Sequence, residues 1–149
     1  MPDAFSKKKR SQIMSKIKSK NTQLELDFKK MIKGLNFRHQ PHVFGKPDFA
    51  IKRLKIAIFI DSCFWHKCSK HFRKPSANNF YWTQKINNNI IRARKVNAHL
   101  KKDGWKVLRV WEHDIKKNPD KRIKKVRRAV LNQRRVSSSL HRRLNFYRY

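Results

Sequence analysis

Between positions 61 and 71 the chain places Asp61, Cys63, His66, Cys68 and His71, side chains that can hold a metal or move a proton. Cys63-x4-Cys68-x2-His71 is a zinc-type spacing that is one donor short, because a closed tetrahedral site takes four ligands. His113, just past an apolar strand-like run, is the best fourth. The competing reading is two buried free thiols beside surface histidines. Lys67, Ser69 and Lys70 weigh against it, since they are poor company for an apolar core position.

A second set of donors is carboxylate. Asp48 follows Pro47 and opens an apolar run, a position where an Asp is more often only a turn residue. Asp61 closes the next apolar run and changes the odds. Two carboxylates meeting at one end of a sheet suit Mg²⁺, a hard cation that prefers oxygen and keeps waters for chemistry. His66 titrates near neutrality and is the natural base beside them. Thr22 and Glu25 have the spacing of a helix capping box, which is the main role expected of Glu25. The same carboxylate would also stand at a helix start near the sheet, so a functional role stays open. Phe64-Trp65 lies between ligand candidates in a polar loop, where a core explanation is weak. Flat rings there could wedge between stacked bases, at a cost of a few kcal/mol per unstacked step.

The composition says what such a site would act on. Forty Lys and Arg against nine Asp and Glu give a formal charge of +31 on 149 residues. That self-repulsion is relieved by a polyanion, most commonly nucleic acid. A ribosomal or histone-like structural protein would carry the same charge, but four Trp argue against one. Carboxylates, a histidine and a polyphosphate partner together make a phosphodiesterase layout. The first twenty residues hold no secretory signal, and no apolar run approaches the ~20 residues a bilayer requires. A cytoplasmic, reduced protein with metal-binding thiols is therefore expected, with no membrane partner.

The elements that must position these residues follow in order. Residues 1–20 read as a basic arm with a short helix around Ser11–Lys18. A helix from Thr22 carries Leu24, Phe28, Met31, Ile32 and Leu35 on one face, with Gly34 placed to end it. Phe37 to Phe44 is a short or edge strand with a loop. Gly45-Lys46-Pro47 turns into a strand opened by Asp48, Lys52-Arg53 turns again, and Lys55 to Asp61 is the central strand. A long helix spans about Asn78 to Lys102, with Trp82, Ile86, Ile90, Ala93, Val96 and Leu100 as its buried stripe. Trp105 to Trp111 is a further strand. From Lys116 the chain forms a helix through Ile123, Val126, Val130 and Leu131 and then frays. This order predicts a small α/β sandwich with a mixed sheet.

Lys46-Pro47-Asp48, the run Phe59-Ile60-Asp61-Ser62-Cys63-Phe64-Trp65-His66, Trp82, and Gly104-Trp105 through Glu112-His113 resemble the very short patch repair endonucleases. The resemblance runs from about residue 5 to 115. It implies a restriction-endonuclease-like fold of the PD-(D/E)xK type. The implied activity is nicking of one strand of duplex DNA 5′ to the T of a T:G mismatch left by deaminated 5-methylcytosine. By matching position, Asp48 would be the Mg²⁺-binding catalytic carboxylate and His66 would activate water. Ile60 would give its backbone carbonyl to the metal, Asp61 would fill a second active-site position, and Glu25 would be an auxiliary acid. Cys63, Cys68, His71 and His113 would hold structural Zn²⁺, and Phe64, Trp65 and Trp82 would form the intercalating wedge. Ser62 stands where the family usually has Gly, and the basic tail finds no counterpart.

The domains expected are an arm over 1–20, an endonuclease core over 21–115 and a basic extension over 116–149. A bacterial, nucleoid-associated monomer is expected, with mismatched duplex as partner and other mismatch-repair proteins as further candidates. Two readings compete: a restriction-like endonuclease of other specificity on the same fold, and a zinc-stabilised DNA-binding protein without catalysis.

Overall fold

The alternation of Ile56, Ile58 and Ile60 with Ala57, Phe59 and Asp61 gives one strand two buried faces, and the fold is built around it. This central strand, β3 (Ile56–Asp61), is preceded by α1 (Lys7–Lys16), α2 (Gln23–Met31), β1 (Arg38–His39) and β2 (Phe49–Ile51). It is followed by α3 (Asn79–Lys102), β4 (Lys106–Trp111), α4 (Glu112–Lys117) and α5 (Pro119–Phe146). The computed structural model describes residues 6–16, 21–76 and 78–146. The four strands form one sheet in the order β1-β2-β3-β4. β2 and β3 pair antiparallel with Phe49 opposite Ile58, and β3 and β4 run parallel from Ile56↔Lys106 to Asp61↔Trp111. This is the expected mixed sheet flanked by helices.

The two faces of β3 bury different helices. Ile56 and Ile58 pack with Phe28 and Ile32 after α2's start and with Ile123, Val126 and Val130 of α5. Ala57 and Phe59 pack with Leu100 of α3, with Val96 and Trp105 beside them. Phe28, Ile56 and Ile58 have no exposed surface, and burial of that kind stabilises by about 1.5–3 kcal/mol per side chain. The expected Lys52-Arg53 turn is a short 3-10 helix, Lys52–Leu54, after which Lys55 takes a left-handed φ of 48°. Among the described residues no helix is long and apolar enough to cross a membrane.

Several expectations shift. The arm helix is α1, Lys7–Lys16, earlier than Ser11–Lys18; positions 1–5 and 17–20 lie outside the described residues. α2 ends at Met31, and Gly34 sits in the following turn with φ +88°. The tail does not fray where its Ser- and Arg-rich composition suggested. α5 is one helix through Phe146. After Pro119 it meets neither Gly nor Pro, and Arg, Lys, Leu and Gln are good helix formers. Leu131 is 53% exposed instead of buried. At 100° per residue it has turned past Val130 and away from the side that Val126 and Ala129 share. The first half of the 116–149 segment also contributes Ile123, Val126, Ala129 and Val130 to the main core, so no packing boundary falls at residue 116.

Candidate active site and metal centre

The turn Gly45-Lys46-Pro47 delivers Asp48 to the end of β2, beside the last residues of β3. The Gln40 backbone N–H donates to the Asp48 carbonyl at 2.8 Å and pins the turn. The Ile60 N–H donates to Asp48 Oδ2 at 2.6 Å, so the carboxylate rests beside the residue whose carbonyl the resemblance singles out. A cleft of about 260 Å³ opens there, lined among others by Asp48, Asp61, His66, Arg92 and Arg109. Burial pushes the Asp48 pKa up to about 6 from 3.8, against the pull of the Ile60 hydrogen bond and with help from the Glu25 and Asp61 charges. A carboxylate in that state gains from a cation.

Asp61 reaches the same cleft but does not stand free beside Asp48. Both of its oxygens are held by Arg109 of β4, through Nε at 2.6 Å and through Nη2 in a second, short contact. Arg109 is fixed in turn by Asn97 Oδ1 of α3 at 3.1 Å and lies over the Phe59 ring at 4.8 Å. Asp61 thus meets Asp48 at one end of the sheet already paired with Arg109. A buried, bidentate ion pair already satisfies Asp61. Arg109 and Asn97 were missing from the expected site residues. The one signal for Arg109 was a charge inside the otherwise apolar run Val107-Leu108-Arg109-Val110.

His66 lies with Nε2 3.6 Å from Asp61 Oδ1. Burial lowers its pKa, and Arg109 and Arg92 add to the effect against the attraction of Asp61. The imidazole is therefore neutral near pH 7 and able to accept a proton.

Glu25 does more than cap a helix. Its N–H donates to Thr22 Oγ1 at 3.3 Å, the forward half of the capping box. The return bond comes from the Asn21 N–H to Glu25 Oε2 at 3.1 Å instead of from the Thr22 N–H, while Thr22 Oγ1 donates to Oε1 at 3.1 Å. Its Oε2 also lies 3.2 Å from His39 Nε2 and accepts from Gln40 Nε2 at 3.2 Å. Glu25 is only 5% exposed, so these partners hold a buried charge next to Asp48. His39, stacked on Phe49 at 4.9 Å, and Gln40 were not foreseen. A short edge strand with little apolar content gave no hint of them.

On the far side of the loop, the donor atoms of Cys63, Cys68, His71 and His113 all lie within 4.8 Å of one another. His113 Nδ1 is 3.2 Å from Cys63 Sγ and 3.6 Å from Cys68 Sγ, and His71 Nδ1 is 3.8 Å from Cys68 Sγ. Ligand bonds of about 2.0–2.3 Å in a tetrahedron put neighbouring donors roughly 3.3–3.8 Å apart, so this set fits Zn²⁺. Desolvation resists ionisation of Cys68, but the backbone N–H groups of Lys70 and His71 outweigh it and lower its pKa. Desolvation likewise keeps His71 neutral, the form in which imidazole binds metal. Cys68 is buried although its neighbours in sequence are exposed. The loop is tied to α4 by Glu112, whose Oε2 accepts from the Cys63 N–H at 3.3 Å. Asp114 Oδ1 stands 3.5 Å from His113 Nε2, the place of an orienting carboxylate, and Arg122 of α5 pairs with Asp114 at 2.6 Å. Ser62 keeps a negative φ, so the turn before Cys63 does not require glycine.

Phe64, Trp65 and Trp82 come together as one half-buried group. Ring centroids are 5.0 Å apart for Phe64–Trp65, 5.5 Å for Phe64–Trp82 and 5.8 Å for Trp65–Trp82. Trp82 thus belongs with the loop aromatics more than with the stripe of α3, whose fully buried members are Ile86 and Leu100.

Comparison with known proteins agrees with this geometry. The family model for DNA mismatch endonuclease Vsr matches residues 2–73. A type II nicking enzyme of Neisseria meningitidis serogroup C is 38% identical over 140 residues, 91% of this chain and 95% of the relative. A type II nicking enzyme of Haemophilus parainfluenzae is 39% identical over 118 residues, 76% of this chain and 84% of the relative. The DNA mismatch endonuclease Vsr of Escherichia coli K12 is 34% identical over 116 residues, 75% of this chain and 74% of the relative. The first of these likenesses extends well beyond residue 115, so the basic tail does have a counterpart among relatives. With its mixed sheet, its carboxylate-histidine cleft and these relatives, the chain belongs to the Vsr family of DNA mismatch endonucleases, hydrolases of the DNA phosphodiester bond.

Proposed function

We propose that this endonuclease nicks one strand of duplex DNA, 5′ to the T of a T:G mismatch, using Asp48 and His66. The observation that carries the reading is the loop 61–66, which joins the Asp48–His66 cleft to the Phe64-Trp65-Trp82 cluster within a few residues. Asp48 and the Ile60 carbonyl would hold Mg²⁺. That cation, when bound, neutralises phosphoryl charge and lowers the pKa of a coordinated water. Neutral His66 takes the proton as water attacks the phosphorus, while the bond to one bridging sugar oxygen breaks and that oxygen leaves, taking a proton from solvent. Asp61, held by Arg109, orients His66, and Arg92 draws the scissile phosphate into the cleft. Glu25 holds His39 and Gln40 and thereby the backbone that carries Asp48. Zn²⁺ at Cys63, Cys68, His71 and His113 would brace the loop. Phe64, Trp65 and Trp82 would enter the stack where a mismatch makes unstacking cheap. The basic arm, residues 1–20, would bind the same duplex, and a monomer suffices.

The test is nicking of T:G, matched and other mismatched duplexes, with and without Mg²⁺, by wild type and Trp65→Ala. Single-strand cuts confined to T:G and lost without Mg²⁺ are expected, with Trp65→Ala losing discrimination. Equal cutting of matched duplex would favour the restriction-like reading, and tight binding without cutting would favour a pure binder.

A further inference from the structure

α5 is the one long element that the cleft does not use. It is 28 residues, about 42 Å at 1.5 Å per residue, and its only acid is Asp120 in the first turn. Its inward face is Ile123, Val126, Ala129 and Val130. The opposite face carries Lys121, Lys124, Arg128 and Arg135, all exposed. Among the described residues no carboxylate pairs with any of these four; the ion pairs of this region go to Asp114 from Arg122 and to Glu112 from Lys116. Lys121, Lys124 and Arg128 are three and four residues apart, so like charges stack along one ridge and repel. A polyanion would remove that repulsion.

The position of the ridge decides what it can touch. α5 packs on the face of the sheet that Ile56 and Ile58 occupy. The cleft is lined by Phe59, Asp61 and Arg109 of the other face together with Asn89, Arg92 and Ala93 of α3. The cations lining the cleft are therefore Lys46, Arg92 and Arg109, and the α5 ridge lies on the opposite side of the sheet from them. From Lys124 to Arg135 the ridge spans about 16 Å, close to five steps of a duplex at 3.4 Å each.

We infer that the outer face of α5 is a second, sequence-independent binding surface for the phosphates of duplex DNA, so that one molecule holds a second segment while the cleft engages the first. The inference rests on the chain being a DNA-cutting enzyme and not on its preference for T:G. A short mismatched duplex is fixed to beads, loaded with the full-length protein, and offered a labelled, matched duplex. Wild type retains the second duplex, and the triple variant Lys124→Gln, Arg128→Gln, Arg135→Gln retains about tenfold less while binding and nicking the first duplex normally. With each lost phosphate contact contributing about 0.9 to the salt slope, the log-log slope for second-duplex capture falls by roughly 2.7. The charge-keeping variant Lys124→Arg, Arg128→Lys, Arg135→Lys behaves as wild type. The inference is overturned if wild type captures no second duplex, if the neutral variant captures it equally well, or if first-duplex binding falls by the same factor. Preferential capture of RNA over duplex DNA would overturn it too.

Discussion

Asp48→Asn should make the protein inactive and, at high pH, more stable. The wild-type carboxyl titrates near pH 6 instead of 3.8 because it is buried beside Glu25 and Asp61. At about 1.36 kcal/mol per pH unit, ionising it in the folded state costs about 3 kcal/mol. The sign follows from the raised pKa. The contribution is fully present below the unfolded value, at pH under 3.8, and is lost as pH rises through about 6. Asparagine carries no such penalty, and its carbonyl can still accept the Ile60 N–H. Urea denaturation of both proteins at pH 4 and pH 8, without added Mg²⁺, reads the difference. The two should be nearly equal at pH 4, and the variant more stable by up to about 3 kcal/mol at pH 8. Mg²⁺ should raise wild-type stability and leave the variant unchanged, because binding only the folded carboxylate shifts the equilibrium. Equal stabilities at pH 8, or a gap that narrows as pH rises, would refute the electrostatic account of this site.

Arg109→Leu leaves Asp61 buried without its partner and should cost about 3–5 kcal/mol in denaturant midpoints at neutral pH. Adding Asp61→Asn should recover much of that loss, and a double variant no better than the single one would show that the pair is not coupled. His113→Ala should release one equivalent of zinc by elemental assay and lower the melting temperature; unchanged zinc content would remove His113 from the ligand set. Asp114→Ala, one bond further out, should keep zinc but bind it about ten- to a hundredfold more weakly in chelator competition. Gly45→Ala should destabilise by at least about 1 kcal/mol, since Gly45 has φ +77° and an added Cβ would meet Val96 Cγ1 at 2.2 Å. A variant with wild-type stability would mean that α3 can withdraw from the turn without cost.

What the sequence by itself determined is local. The Thr22–Glu25 cap, the alternation of β3 and the Gly45-Pro47 turn act over a few residues, where spacing and side-chain chemistry are decisive. The clustering of Cys63, Cys68 and His71 was legible for the same reason, and the motif strings carried the family. The tertiary structure decided what contacts between distant elements decide. Arg109 is forty-eight residues from the Asp61 it neutralises, and no spacing rule joins a strand interior to the end of its parallel neighbour. Glu25 met the capping pattern, but its hold on His39 and Gln40 depends on where β1 lies against α2. The tail was legible as a helix through Ile123, Val126 and Val130, but its far end looked frayed because apolar residues are few there. Its inner face is nevertheless core, since the sheet surface offered by Ile56 and Ile58 needs a cover that only packing can assign.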